Sequence, residues 1–467
     1  MRKHRIFPAY QNVEIFDIAT EGRGVGKIDE LIVFVKHAIP GDIVDIQLTK
    51  KKSSFGEANV TNYVKKSSDR IDAFCEHFGT CGGCKWQHLS YTQQLYYKQK
   101  QVNDNFTRIA KIEIPEIKPI LASGNVTLYR NKLEYTFSNK RWLTSEEIGS
   151  IDNYENMEGL GFHIPGRFDK VLDINKCYLQ TDPSNDIRQE VRKFCLDNGI
   201  SFFDIRQQKG IMRNIIIRTT STKQLMIILS ITERNEKIDS LLDFLDKRFP
   251  EITSLNYTIN TKGNDTISDL EIVCFKGEEY IMEAMEDLKF RIGPKSFYQT
   301  NSEQAYQLYS VAREFAGITE NDTVYDLYTG TGTIANFVAR KAKQVIGIEY
   351  VPEAIEDAKI NSQINNISNT QFFAGDMAKV LNDDFCKTYG NPDIVITDPP
   401  RAGMHTDVID MLIKINAKKI VYVSCNPATQ ARDVALLADY YKVTKIQPVD
   451  MFPHTEHVEN VILMERK

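Results

Sequence analysis

Val324-Tyr325-Asp326-Leu327-Tyr328-Thr329-Gly330-Thr331-Gly332-Thr333 decides how the chain is read. An apolar run ends in a carboxylate, a glycine turn follows, and the apolar stretch Ile334 to Ala339 suits a helix. A strand–turn–helix of this kind is where a doubly wound sheet receives a nucleotide-like ligand. Glycine lets backbone N–H groups approach that ligand without a Cβ between them. The next strand, Gln344 to Ile348, ends at Glu349, 23 residues after Asp326, and a carboxylate there suits the two hydroxyls of a ribose. No third glycine completes a pyrophosphate fingerprint, so a cofactor such as S-adenosylmethionine fits better.

The same rhythm runs on both sides. Strands at 323–327, 344–348, 370–373, 393–397 and 419–423 alternate with helical stretches, and two more near 442–447 and 458–465 complete a seven-stranded α/β sheet over 286–467. Asn301 or Ser302 caps its leading helix, with Glu303 in the first turn. Asp376, just past the third strand, is within reach of a cofactor base. Two strand tips then share the carboxyl edge: Asp398-Pro399-Pro400-Arg401 and Ser424-Cys425-Asn426-Pro427.

Asp-Pro-Pro alone is ambiguous, because enzymes that methylate exocyclic amines hold the amino group with it. Cys425 separates the chemistries. An amine has its own lone pair, whereas carbon 5 of a uracil becomes nucleophilic only after a thiolate adds at carbon 6. A base must afterwards remove the carbon-5 proton. Phe452-Pro453-His454-Thr455-Glu456-His457-Val458-Glu459 offers candidates.

Upstream, residues 1–66 read as a small OB-like β-barrel: Val13 to Ile18, Leu31 to Val35, Ile43 to Leu48 and Ala58 to Val64, with Glu21 to Lys27 as a glycine-rich loop and Lys50 to Lys52 as a hairpin tip. Cys75-x5-Cys81-Gly82-Gly83-Cys84 follows; three thiols within ten residues suit a four-iron cluster with Cys177 as fourth ligand, a structural zinc being the competing reading. Cys195, Cys274 and Cys386 read as core. Tyr91 to Ala110 is helical, with Lys98, Lys100 and Arg108 on a solvated face, and part of 91–115 packs on the catalytic domain. Residues 67–285 form a central α+β domain: strands around 129–137, 214–219, 225–229 and 251–260, a helix at 237–247, and one sheet face open for substrate. Arg130, Asn131 and Lys132 on its first strand are candidate RNA contacts, as is Arg401.

Composition excludes rather than selects. With 42% hydrophobic and 26% charged residues the chain reads as globular, and no apolar run of membrane length or signal segment follows the basic residues 1–5, so a cytoplasmic protein is expected. Eight cysteines in 467 residues are no disulfide framework. The net charge is −5, yet residues 1–70 carry 12 Lys/Arg against 9 Asp/Glu, so any RNA is held by patches.

Taken together, these motifs resemble the TrmA/RumA-type family of RNA uracil-C5 methyltransferases over essentially the whole chain. The barrel is similar to that family's TRAM module. The resemblance implies that Cys425 is the nucleophile and Glu459, rather than His454 or His457, the general base. It implies that Gln299 in Phe297-Tyr298-Gln299-Thr300-Asn301, Tyr328, Gly330, Glu349 and Asp398 contact S-adenosylmethionine, and that Cys75, Cys81, Cys84 and Cys177 carry a [4Fe-4S] cluster. Family members often carry Cys and Asn where this chain has Thr329 and Thr333, so the cofactor contact expected at Thr333 is altered. The implied product is 5-methyluridine. Large-subunit (23S) ribosomal RNA is the expected substrate, with transfer RNA as the alternative, and the enzyme is expected to act as a monomer. A non-catalytic RNA-binding assembly factor and an amine methyltransferase are the readings from other classes.

Overall fold

A computed structural model describes residues 7–148 and 157–467; the basic stretch 1–5 lies outside them. The chain divides into two compact units. The first is Met1–Lys100 with Phe452–His457, the second Gln101–Met451 with Val458–Lys467.

In the first unit, β1 (Ala9–Ile18), β2 (Gly24–Ile28), β3 (Leu31–Lys36), β4 (Ile43–Lys51) and β5 (Phe55–Lys65) close a barrel in the order β1-β2-β3-β5-β4. Val13, Ile15, Val33, Val35, Val44 and Ile46 alternate inward along their strands and fill it. The segment read as a glycine-rich loop is largely β2. A Cβ on Gly24 would stand 2.7 Å from the Ala38 carbonyl, and one on Gly26 2.9 Å from Val13 Cγ1. These glycines are close-packing positions in a strand, which sequence alone does not distinguish from turn glycines. Residues 66–90, with Cys75, Cys81 and Cys84, contain no helix or strand. The helix Tyr91–Asn105 follows, continued by a wider turn at Phe106–Ala110. Lys98 does not belong to a solvated face: it is fully buried, its Nζ donating to the Phe452 carbonyl at 3.0 Å.

The second unit holds two seven-stranded sheets. The central one contains β6 (Lys132–Ser138), β7 (Gly159–Ile164), β8 (Arg167–Asp173), β9 (Met212–Thr219), β10 (Leu225–Ile231), β11 (Ile252–Ile259) and β12 (Val273–Gly277), ordered β12-β11-β10-β9-β6-β7-β8. Only β10 and β11 pair in parallel. The expected open face is absent at its centre: every residue of β10, and all of β9 but its last, is buried. Such continuous apolar runs mark strands covered on both sides. Cys274 lies partly exposed on the edge strand β12 instead of in the core; Cys195 and Cys386 are buried.

A hairpin, β13 (Ile281–Met285) and β14 (Leu288–Ile292), leads to the second sheet. This comprises β15 (Thr323–Leu327), β16 (Gln344–Glu349), β17 (Thr370–Ala374), β18 (Ile394–Thr397), β19 (Lys419–Ser424), β20 (Tyr441–Val449) and β21 (Glu459–Arg466), in the order β17-β16-β15-β18-β19-β21-β20. The first five run parallel; β21 enters antiparallel between β19 and β20. Val102, Phe106 and Ala110 belong to the same core as Tyr325, Ile346 and Tyr422. No helix among the described residues is long and apolar enough to cross a membrane.

Candidate active site

The site is built on the carboxyl ends of the parallel strands. β15 ends at Leu327, and Tyr328, Gly330 and Gly332 all take left-handed backbone angles (φ 62°, 55° and 74°) before the helix Thr333–Ala339. The two glycines have different reasons. A Cβ on Gly332 would lie 2.8 Å from that of Ala358, so its bareness serves helix packing; one on Gly330 would meet nothing within 4 Å. Gly330 thus presents backbone to open space, as a ligand cradle requires. Its N–H donates to Glu349 Oε2 at 3.2 Å, and Glu349 Oε1 accepts from Val351 N at 3.0 Å, so the carboxylate at the tip of β16 is already oriented.

Asp326 is fully buried beneath this turn and accepts a hydrogen bond from the Thr329 hydroxyl. Burial, helped by the Glu349 charge, pushes its pKa up to about 7. Thr329, noted in sequence only as a departure from the family, therefore donates to one oxygen of this acid. Thr333 is buried in the first turn of the helix with its hydroxyl 3.3 Å from that of Thr331. Asp376 caps the short helix after β17 by accepting from Ala378 N at 3.2 Å, leaving its side chain partly exposed. With Tyr328, Tyr350, Met377, Lys379 and His405 it lines a cleft of about 410 Å³.

The second half of the site lies at the tips of β18, β19 and β21. Asp398 follows β18. Cys425 follows Ser424, which pairs with Asn460 across the antiparallel β19/β21 ladder. Cys425 and Glu459 are the residues adjoining that pair on the two chains, and the Glu459 charge acts on the thiol. Side chains behind the ladder fix it: Gln430 Nε2 donates to the carbonyls of Tyr422 (2.9 Å) and Asn460 (3.2 Å), and Asn460 Nδ2 donates to Gln430 Oε1 (2.7 Å). Asn426 caps the next helix through Ala428 N, while its Nδ2 donates to the Arg401 carbonyl at 3.1 Å, tying the β18 loop to the cysteine. Asp433, fully buried, accepts from Met404 N at 2.8 Å and from the Tyr422 hydroxyl at 2.7 Å. Gln430, Asp433 and the capping role of Asn426 were missed in sequence; Asn-Pro at a strand end was the only signal for any of them.

Charge follows from this packing. Burial drives the Cys425 thiol up to about 11, the Glu459 and Asp398 charges pushing the same way and Arg401 opposing them. Glu459, 4% exposed, is raised to about 8 by burial and then by Asp398, again with Arg401 opposing. Asp398 rises to about 7 through burial and the neighbouring Asp326. Cys425, Glu459, Asp398 and Arg401 therefore act on one another, and three acids in one small volume cannot all ionise freely at neutral pH. Tyr309, another residue missed in sequence, is buried against this group, hydrogen-bonded to the Gln299 side chain and close to Asp398 and Asp326. Asn301 caps the helix Ser302–Ala316, accepting from Gln304 N at 3.2 Å.

Other expected residues fall elsewhere. Asn131 Nδ2 donates to the Gln299 carbonyl (2.9 Å) and to Ser302 Oγ (2.8 Å). Lys132 is partly buried, and desolvation beside Arg218 lowers its pKa; Arg130 lies with its guanidinium 5.9 Å from the Tyr129 ring. Arg401 is exposed. His454 and His457 belong to the first unit. Cys75, Cys81 and Cys84 are partly exposed in one loop, where burial raises the Cys75 thiol. Cys177 belongs to the second unit, held by Asn185 through hydrogen bonds of 2.8 and 3.1 Å to its backbone. Among the described residues, no group of three or more His, Cys, Asp and Glu side chains is arranged to hold a metal ion.

Comparison with known proteins finds relatives along nearly the whole chain. Residues 271–467 match the tRNA (Uracil-5-)-methyltransferase family and residues 9–61 the TRAM domain. An uncharacterized RNA methyltransferase of Bacteroides thetaiotaomicron is 58% identical over 452 residues, covering 96% of this chain and 100% of its own. Another, from Porphyromonas gingivalis, is 55% identical, covering 97% and 99%. Among solved structures, the Pyrococcus abyssi tRNA (uracil-54, C5)-methyltransferase in complex with S-adenosyl-L-homocysteine superposes with a TM-score of 0.74 at 27% identity, covering 97% of this chain and 100% of its own.

Proposed function

The chain belongs to the RNA uracil-C5 methyltransferase family, and on that premise we propose that it methylates carbon 5 of a uridine in RNA through a covalent adduct on Cys425. The observation that supports this reading is the mutual electrostatic influence of the Cys425 thiol and the buried Glu459 carboxyl, which adjoin the Ser424–Asn460 pair of the β19/β21 ladder. Gly330, Glu349, Tyr328, Asp376, Gln299, Asp398 and Thr333 would hold S-adenosylmethionine, which when bound would supply the methyl group from its sulfonium and be left as the thioether.

The chain's own residues do the rest. Cys425 gives its proton to the Asp398 carboxylate, raised to about 7, so that Glu459 stays ionised for the later step and the leaving thiolate can recover its proton. The thiolate then bonds to uracil carbon 6, and the electron pair released towards carbon 5 takes the methyl group. Glu459 removes the carbon-5 proton, the ring double bond re-forms and the sulfur leaves.

Large-subunit ribosomal RNA is the proposed substrate and the cytoplasm the proposed compartment. Transfer RNA is the second reading, favoured by a specific observation: the Pyrococcus abyssi enzyme acts on tRNA and is matched along its entire length, barrel region included. The barrel therefore does not discriminate between them. Incubation with 5-fluorouridine-substituted transcripts of both RNA classes plus S-adenosylmethionine tests chemistry and target together. Fluorine cannot leave as a cation, so a denaturant-stable adduct on Cys425 should accumulate on the true substrate. Methyl transfer without an adduct would instead favour amine methylation through Asp398-Pro399-Pro400.

The proposal extends to a four-iron cluster on Cys75, Cys81, Cys84 and Cys177. Its support is the donor set, three thiols within ten residues, and no step of the reaction depends on it. Iron and zinc analysis of protein purified without air decides the matter.

A further inference from the structure

Asp398 and Cys425 follow neighbouring parallel strands, β18 and β19. The loop after Asp398 lies along the first turns of the helix Pro427–Leu437, which begins just past Cys425. The Arg401 carbonyl accepts from Asn426 Nδ2 at 3.1 Å and from the Thr429 hydroxyl at 3.2 Å. Arg432 Nη2 donates to the carbonyls of Ala402 (2.9 Å) and Met404 (3.4 Å), and Asp433 Oδ2 accepts from Met404 N at 2.8 Å. Arg432 is itself oriented, its Nε and Nη2 reaching Asp433 Oδ1 at 2.8 and 2.6 Å. Gly403 shows how closely loop and helix meet. Its φ is 78°, and a Cβ there would stand 2.6 Å from both Arg432 Nη2 and Asp433 Oδ2.

Asn426, Thr429, Arg432 and Asp433 are thus all committed to one short loop. A guanidinium paired with a buried carboxylate holds its other hydrogen bonds in a fixed geometry. What the loop carries is Arg401. The charges that act on the Cys425 thiol are those of Glu459 on β21 and of Asp398 and Arg401 on this loop; the first two oppose ionisation and Arg401 favours it. Passing the thiol proton to Asp398 is uphill, so a cation kept beside the sulfur bears directly on that step. We propose that Thr429, Arg432 and Asp433 are positioning residues for Arg401: they dock the loop after β18 onto the helix after the nucleophile and so keep the guanidinium where the thiolate forms. The inference rests on the reading of Cys425 as the nucleophile, and it assigns these residues to a step before methyl transfer.

The thiolate can be read without RNA. Alkylation of the full chain by iodoacetamide over a range of pH, followed peptide by peptide by mass spectrometry, reports the ionised fraction of Cys425. Arg401→Gln, Arg432→Met and Thr429→Val are each expected to displace its profile to higher pH, slowing alkylation below the thiol pKa by about threefold or more while the plateau is kept. In the Arg401→Gln background, Arg432→Met and Thr429→Val should displace it no further. A wild-type profile in both clamp variants, or further displacement by either in that background, overturns the inference. So does a lowered plateau at an unmoved midpoint, which would mark a change of access and not of charge. An unmoved profile in Arg401→Gln, with a weaker salt dependence of RNA binding, would make Arg401 an RNA contact and likewise overturns it. Arg432→Met leaves Asp433 buried without its partner. Should that variant render the buried thiols of Cys195 and Cys386 reactive, Thr429→Val, which removes one hydroxyl and no charge, decides alone. Methyl transfer that survives complete alkylation of wild-type Cys425 would overturn the nucleophile reading itself, a failure separate from that of the clamp.

Discussion

The second unit contains two seven-stranded sheets of similar size, and only one converges chemistry-bearing residues. In the central sheet all neighbours but β10 and β11 run antiparallel, so successive strand tips point to opposite edges and nothing accumulates at either. In the catalytic sheet five parallel strands deliver Tyr328, Glu349, Asp376, Asp398 and Cys425 to one edge. The single antiparallel insertion, β21, brings Glu459 to that edge from the opposite chain direction. Strand direction, more than residue content, separates a scaffold from a site.

Replacing the residue at the β19 tip should break this contrast most severely. Cys425→Ala is expected to lower turnover by about 10⁴-fold or more, since without the thiolate carbon 5 has no nucleophilic form. Affinity for S-adenosylhomocysteine, measured by calorimetry, should remain near normal. Measurable methylation by this variant would show that the parallel edge merely binds.

Next comes the antiparallel partner. Glu459→Gln should form the methylated adduct and release it about 10²–10⁴-fold more slowly, leaving RNA trapped on the protein in denaturing gels. In the wild type the carboxyl must be ionised to take the proton, and its pKa stands at about 8. Release should therefore fall about tenfold per pH unit below that value, by about a hundredfold at pH 6. Stability runs the other way. A folded-state pKa raised above the ordinary 4.5 means that the folded protein holds a proton the unfolded chain has lost, so stability declines as pH rises from there to about 8. Glu459→Gln removes that decline, and its melting temperature should gain on the wild type at pH 9 but not at pH 4.

Much of the catalytic sheet was legible in sequence because parallel strands buried on both faces read as short apolar runs ending in motif residues, and all seven fall where those runs predict. The site was less legible. Cys425 and Glu459 stand out by motif, but their nearness depends on a ladder pinned by Gln430 and Asn460, whose hydrogen bonds span 30 residues. Elsewhere one residue type served two physical ends. Gly24 and Gly26 read as turn residues yet line a barrel wall, and Lys98 reads as a surface charge yet is buried on the Phe452 carbonyl. The cysteine loop has neither strand nor helix to impose geometry, so spacing alone left its arrangement undetermined.

Two glycines sharpen the comparison on a smaller scale. Gly332→Ala meets Ala358 as well as a left-handed backbone, and should cost about 2 kcal/mol or more of stability, read by denaturant melts. Gly330→Ala incurs only the backbone penalty, about 1 kcal/mol, because its Cβ would project into open space. If that space receives the cofactor, Gly330→Ala should nevertheless be the more damaging to S-adenosylhomocysteine binding, by about tenfold. Equal losses of affinity would mean that both glycines serve packing.

The smallest effects belong to the central sheet, and they bear on whether it touches RNA at all. Lys132 enters β6 partly buried, and desolvation beside Arg218 already disfavours its charge. A cation in that position gains little from a phosphate that solvent and a second cation would share. Lys132→Met should therefore leave RNA affinity within about twofold and the salt dependence of binding unchanged. Arg130 precedes the strand, and its guanidinium cannot lose its charge. Arg130→Ala should weaken binding by a few fold and reduce the slope of log affinity against log salt by about one. A larger loss from Lys132→Met, with a reduced salt slope, would mean that the antiparallel sheet grips the RNA directly. The contrast between the two sheets would then be one of binding against chemistry, and no longer of scaffold against site.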